Sequence, residues 1–275
     1  RPPLGGGPCT SVAGEPLSWR SGEGVVEVEL HREPANEIGS TTLAELERLA
    51  AALPALERDA AALVVHSSIA AGFSAGADLR ELHRRAADLP RRQRGAELRS
   101  FLERVHVVMR ALDESPLTTI AALEGVVFGG GFELALTCDI RIAGRLARFC
   151  FPELRLGLIP GFGGVPRLRR DVGTAVVLDL LLTGRSLNAA RAHALGLVAQ
   201  LTGAGDARRA ALATAHQITR LDRTAAAAAK RFAKPIPAEE LAREIDLFCE
   251  LFDRPAVEAA LERFVSSEEV LPYLP

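Results

Sequence analysis

The sequence predicts an α/β domain with mostly parallel strands, followed by an all-helical C-terminal part. Three observations carry this. Short β-branched runs alternate with amphipathic stretches of helical period through the first two thirds of the chain. Strand signals stop near Gly205, and helical patterns continue after it. Composition is ordinary for a globular protein, with 48% hydrophobic and 25% charged residues in 275, enough chain to bury a large core.

The elements follow in order. Residues 1–16 are rich in Gly and Pro, lack the apolar stretch of a secretory signal, and do not begin with Met. They are expected to be a disordered lead-in or the remnant of something longer. Val25-Val26-Glu27-Val28-Glu29-Leu30, bounded by glycines and Pro34, reads as a strand. Ser40 or Thr41 is placed to cap a helix over about 42–53, with Leu43, Leu46, Leu49 and Leu53 on one face. A second strand over 62–66 runs into a loop at 67–76. A polar helix follows through Leu79, Leu82 and Ala86 and fades into the arginine-rich stretch around Pro90. Phe101, Val105, Val108 and Leu112 mark another amphipathic helix. A buried strand over 117–123 ends at Gly125. Then come a glycine-rich turn, a short helix over 132–136, a strand over 139–143 and a short strand near Phe149. Helices over 224–233 and 239–252 complete the pattern. The expected division is a lead-in at 1–16, an α/β core at 17–204 and a helical region at 205–275.

Charge and cysteine usage exclude several functions. A formal net charge of -2 with no basic tract gives nucleic acid or an anionic membrane no footprint. Lys230 and Lys234 are the only lysines. Cys9, Cys138, Cys150 and Cys249 are scattered without a CxxC pair, so neither a disulfide framework nor a metal site is expected. Reduced thiols suit a cytoplasmic protein. No apolar run has the roughly 18 residues needed to span a bilayer.

Two turns carry the chemistry. Phe73-Ser74-Ala75-Gly76-Ala77-Asp78 follows the second strand and opens a helix; Phe128-Gly129-Gly130-Gly131-Phe132-Glu133 follows the third and opens another. Glycine permits backbone dihedrals closed to other residues and close approach of a ligand. The first N–H groups of a helix lack intrahelical partners and can point at an external oxygen. Two such turns together can offer two donors to one carbonyl oxygen, an oxyanion hole. A triple glycine alone is more often only a helix–strand packing device. The run is not a dinucleotide fingerprint, and Gly161-Phe162-Gly163-Gly164 is not a phosphate loop, because no GK[ST] follows.

The string Gly72-Phe73-Ser74-Ala75-Gly76-Ala77-Asp78-Leu79-Arg80-Glu81-Leu82 resembles the first signature of the enoyl-CoA hydratase, or crotonase, superfamily. Ile120-Ala121-Ala122-Leu123-Glu124-Gly125-Val126-Val127-Phe128-Gly129-Gly130-Gly131-Phe132-Glu133 resembles the second. Phe151-Pro152-Glu153-Leu154-Arg155-Leu156-Gly157-Leu158-Ile159-Pro160-Gly161 continues the likeness, as do Leu182-Thr183-Gly184-Arg185 and Ala192-His193-Ala194-Leu195-Gly196-Leu197-Val198. The resemblance implies a crotonase-like spiral of ββα repeats, with a C-terminal helical region used in assembly of a homotrimer or hexamer. It implies that the Ala77 and Gly130 N–H groups form an oxyanion hole for an acyl-CoA thioester, with no further cofactor. It also implies that Glu133 holds and activates water while Glu153 exchanges a proton with the α-carbon. Ala75, Asp78, Leu79, Arg80, Gly129, Pro152 and Gly161 are the expected substrate-binding positions around them.

Both glutamates are present, and this favours hydration of a 2-enoyl thioester. An isomerase using Glu153 alone, a dehydratase acting on a carrier-bound polyketide intermediate and a catalytically idle binding protein are the alternatives. Phe132, Phe151 and Leu154 are expected to make the pocket apolar, with further wall from the segment 79–99 and the C-terminal helices. No Lys or Arg follows Arg263, which leaves Arg80, Arg84 and Arg85 to hold CoA phosphates or, equally, to form a solvated face.

Overall fold

The computed structural model describes residues 10–267. Along the chain, β1 (Thr10–Val12), β2 (Leu17–Gly22) and β3 (Val25–Leu30) precede α1 (Ser40–Leu56). Then come β4 (Ala62–Ser67), β5 (Gly72–Ser74), α2 (Leu79–Ala87) and α3 (Arg91–Glu114). The middle holds β6 (Thr118–Leu123), β7 (Val126–Phe128), α4 (Gly129–Thr137), β8 (Ile140–Gly144) and β9 (Arg148–Cys150). A 3-10 turn at Glu153–Leu156 leads to α5 (Gly164–Val172), α6 (Thr174–Thr183), β10 (Leu187–Asn188), α7 (Ala189–Ala194) and β11 (Gln200–Thr202). Four helices end it: α8 (Ala207–Ile218), α9 (Arg223–Ala233), α10 (Ala238–Phe252) and α11 (Pro255–Val265).

Two sheets result. The larger has the order β1-β2-β3-β4-β6-β8-β11, and the smaller β10-β9-β7-β5. Pairing is antiparallel across β1-β2-β3 and between β10 and β9, and parallel elsewhere. From β4 onward the chain lays one strand in the large sheet, one in the small sheet, then helix, and repeats with β6-β7-α4 and β8-β9-α5. This is the expected ββα spiral.

Alternation along the central strands explains the two-sided burial. Leu63 and Val65 of β4 and Ala121 and Leu123 of β6 face the main core between the sheets. Val64 and Ile120 face the other way, against Ala207, Ala211 and Ala215 of α8. Alanine at every fourth position gives α8 a narrow small-residue stripe that lets it lie close on the sheet. Strands buried on both faces read as continuous apolar runs, as 62–66 and 117–123 do.

The structure revises several expectations. The lead-in does not extend to residue 16: Thr10–Val12 pairs with β2, while residues 1–9 lie outside the described part. The strand β2 alternates buried Leu17 and Trp19 with polar residues. It is joined to β3 through Glu23 and Gly24, both at positive φ (52° and 77°), a two-residue hairpin turn of the kind whose twist suits flanking strands. The loop at 67–76 contains β5. The arginine-rich stretch is no fade-out but the first turns of α3. Neither Ser40 nor Thr41 caps α1: the cap position is Gly39, with no side-chain cap bond, and the Glu81 carboxylate accepts from Ser40 N–H at 3.0 Å instead. Of the C-terminal helices, α8 is a layer of the α/β body, whereas α10 packs on α3 and α11 on α2.

Candidate active site

Strands β5 and β7 are parallel neighbours in the small sheet, so the turns that follow them leave at the same end and meet. Gly76 has φ +100°, and a Cβ there would lie 2.9 Å from both Gly130 N and Phe128 O. Only glycine permits that backbone-to-backbone approach. A Cβ on Gly130 would lie 3.4 Å from Ala77 N, which sets the two amides side by side. Ile38 donates to Gly76 O at 2.7 Å and accepts from Asp78 N–H at 3.1 Å. That bridge consumes the flanking groups and turns Ala77 N–H away, where it has no acceptor among the described residues. Gly130 lies in the first turn of α4, where N–H groups have no intrahelical partner and the helix dipole is positive. Two backbone amides thus lie side by side at the pocket that both residues line.

Glu133 sits one helical turn further along α4. Its side chain is buried, and Oε1 accepts from Phe162 N–H and Gly164 N–H, each at 2.8 Å. Burial pushes its carboxyl up to about 7, with the two amides opposing the rise. Glu153 opens the 3-10 turn after Pro152. Its Oε1 lies over Gly129, where a Cβ would come within 2.6 Å of it. The residue is half-buried, yet Oε2 is fully enclosed without a hydrogen-bond partner among the described residues. Burial first, and the Glu133 charge second, hold it well above the ordinary carboxylate range. The two amides on Glu133 favour its ionised form, and Glu153 Oε2 has no such donor among the described residues, so the pair is built to ionise first at Glu133. One can accept a proton and the other donate one.

The turn that presents Phe162 and Gly164 is itself braced. Gly163 N–H and Val165 N–H donate to Glu244 of α10 at 2.6 and 3.2 Å. Arg167, fully buried, donates to Gly163 O at 3.0 Å and to Asp113 at 2.7 Å. Asp113 also receives Arg170 and Lys234. His106 Nε2 lies 2.8 Å from Gly161 O. Burial pushes this imidazole down to about 4, so it is neutral at pH 7 and donates through Nε2–H. Glu244, Arg167, Asp113 and His106 were not singled out from the sequence. The one available signal was the glycine run at 161–164, which anchors a carboxylate and not a phosphate.

The expected site residues come together with one exception. Ala75, Asp78, Leu79, Gly129, Pro152 and Gly161 line the same pocket as Ala77, Gly130, Glu133 and Glu153. Asp78 has its carboxylate engaged within the protein, capping α2 through Glu81 N–H and pairing with Arg32 at 2.7 Å. Arg80 does not line the pocket: its guanidinium lies over the Phe264 ring, 5.2 Å from the centroid. Arg84 donates to Arg80 O at 3.4 Å, and Arg85 joins Ser40, Glu81 and Glu97. The apolar wall also differs from expectation. Phe132 and Phe151 stack on each other in the core at 4.7 Å, and neither they nor Leu154 line the pocket. Leu82, Leu98, Phe101, Phe162 and Phe248 do. The segment 79–99 and the C-terminal helices supply wall as anticipated.

A family model described as enoyl-CoA hydratase/isomerase matches residues 20–269. The human enoyl-CoA hydratase domain-containing protein 2, mitochondrial, is 37% identical over 177 residues, 64% of this chain and 58% of that protein. A probable enoyl-CoA hydratase of Mycobacterium tuberculosis is 40% identical over 172 residues, 62% of this chain and 63% of the relative. The chain thus spans less than two thirds of the length of these two relatives. Among solved structures, an enoyl-CoA hydratase from Bacillus halodurans superposes with a TM-score of 0.80 at 25% identity, covering 90% of this chain and 100% of that one. Pseudomonas aeruginosa DspI superposes at 0.71 with 32% identity, covering 86% and 96%. With the family model matching over most of its length and the ββα spiral in place, the chain belongs to the enoyl-CoA hydratase/isomerase family, that is, to the crotonase superfamily.

Proposed function

We propose that the protein is an enoyl-CoA hydratase, adding water reversibly to the double bond of a 2-enoyl-CoA thioester. The observation that carries this is the pair of enclosed carboxyls, Glu133 and Glu153, at the pocket where the Ala77 and Gly130 amides lie side by side. The thioester oxygen accepts both amides. As water's oxygen bonds to the β-carbon, charge grows on the thioester oxygen and the donors hold it as an enolate. Ionised Glu133 takes a proton from the water, and protonated Glu153 delivers one to the α-carbon. A proton passing from Glu133 to Glu153 resets the site. Atoms balance without any cofactor beyond the CoA that the substrate carries.

The acyl group is an uncharged aliphatic chain. Leu82, Leu98, Phe101 and Phe248 offer it apolar surface, and the charged groups on the wall are already neutralised, Arg85 by Glu97 and Arg94 by Glu258. The protein acts as a homotrimer or hexamer: Phe232, Leu182 and Leu221 are exposed large apolar residues that a second copy would cover. A panel of enoyl-CoAs of increasing length tests the assignment, followed by loss of the conjugated-thioester absorbance. Turnover is expected on unbranched chains, with a carboxylated acyl group the poorest. No turnover on any acyl chain, on CoA or on a carrier-bound pantetheine, overturns it.

A further inference from the structure

Glu244 is a buried carboxyl that the mechanism above leaves without a task. It projects from α10, 4% exposed, into a body where an apolar residue would pack without the desolvation that a carboxyl brings. Its contacts give it a task. Four consecutive amides, those of residues 162, 163, 164 and 165, leave one turn. The first and third donate to Glu133; the second and fourth donate to Glu244. The alternation requires Gly163 in the left-handed region, at φ +93°. The carbonyl side of the turn is tied separately, by Arg167 to Phe162 O and Gly163 O and by His106 to Gly161 O.

We propose that Glu244 is a positioning residue for Glu133: by holding the Gly163 and Val165 amides on one side of the turn, it obliges the Phe162 and Gly164 amides to face Glu133 on the other. The proposal rests on the hydratase reading only for its kinetic consequence. Without Glu244 the amide side of the turn loses its second anchor, the Phe162 and Gly164 amides are held less firmly on Glu133, and the water it holds moves off line. The charged and titratable groups around Glu133 are Glu153, Glu244, Arg167 and the neutral His106. Burial, with the Glu133 charge adding to it, keeps Glu244 well above the ordinary carboxylate range. Neither Leu nor Gln carries a charge at this position, so the difference between the two variants reads the hydrogen bonds to the Gly163 and Val165 amides.

The test compares Glu244→Leu and Glu244→Gln in the full chain. It reads kcat and KM for hydration, thermal unfolding, and the titration of the Glu133 carboxyl carbon by NMR on 13C-labelled glutamate, assigned with Glu133→Gln. In Glu244→Leu, kcat is expected to fall at least 100-fold with KM within threefold, and the Glu133 titration moves to higher pH. In Glu244→Gln the amide oxygen still accepts one of the two N–H groups, so kcat falls about threefold to tenfold and the titration moves less. Folded Glu244→Leu with wild-type kcat and an unmoved Glu133 titration overturns the proposal. Should Glu244→Leu not fold, an unmoved titration in Glu244→Gln overturns it equally. If the wild-type protein hydrates no enoyl thioester, the hydratase reading fails, while the carboxyl titration still decides the role of Glu244.

Discussion

Glu133 and Glu153 share a residue type and a pocket, yet the protein treats them differently. Glu133 has two amides on one oxygen, which favour its ionised form; Glu153 has an enclosed oxygen with no partner among the described residues. That asymmetry supports the proposed roles of Glu133 as base and Glu153 as acid. It also links Glu133 to stability. Its folded pKa, about 7, lies above the ordinary 4.5, so the folded state binds this proton more tightly than the unfolded chain does. The stabilisation is complete below about pH 4.5 and is lost as pH rises through about 7, a swing of about 3 kcal/mol. Denaturant unfolding of wild type and Glu133→Gln at pH 5 and pH 8 checks this. The wild type is expected to lose roughly that much more stability than the variant between the two; parallel losses would contradict the burial account. At this scale Glu133, Glu153, Ala77 and Gly130 were readable because each stands in a short local motif. Glu244 and Asp113 were not, since they reach the site from 81 and 54 residues away in sequence, across packing that a single sequence does not display.

Among the elements, α4 does the most for the site. Its first turn supplies one donor, its second turn the base, and its dipole favours the charge that grows between them. The partner donor depends on Gly76, which lets the two turns touch. Gly76→Ala places a methyl group 2.9 Å from the backbone atoms Gly130 N and Phe128 O, at a φ that L side chains avoid. Backbone there has to separate. The expected result is a folded protein whose kcat drops about 10²- to 10³-fold, the usual cost of an oxyanion donor, measured beside circular dichroism. Wild-type kcat in a folded variant would mean the two amides do not act together. Long, buried elements were legible: β3, β4, β6 and α10 all stand where their patterns put them. The strands β5, β7, β10 and β11, of two or three residues, are too short for an alternation to register. The first three exist because the small sheet gathers them, and β11 because it pairs with β8 at the edge of the large one. The cap of α1 escaped for a similar reason, because Glu81 supplies it from another helix.

At the scale of the molecule, two sheets and their crossover helices set the catalytic turns at one end of the small sheet. The helices α2, α3 and α10 then wall the pocket with apolar residues. Fold class and spiral were open to sequence reading because period, punctuation and motif order agreed with one another. The direction of single arginines was not: Arg80 stacks on Phe264 of α11, a contact decided by how the C-terminal helices close over α2. The architecture raises one question above the others, whether both carboxyls are needed or Glu153 alone suffices as in an isomerase. Hydration of crotonyl-CoA, or of the best enoyl-CoA found, by wild type and Glu133→Gln answers it, followed as loss of the conjugated-thioester absorbance. The account predicts that Glu133→Gln binds the thioester with KM within a few-fold of wild type and loses at least 10³-fold in kcat. A variant that keeps most of its activity would contradict it.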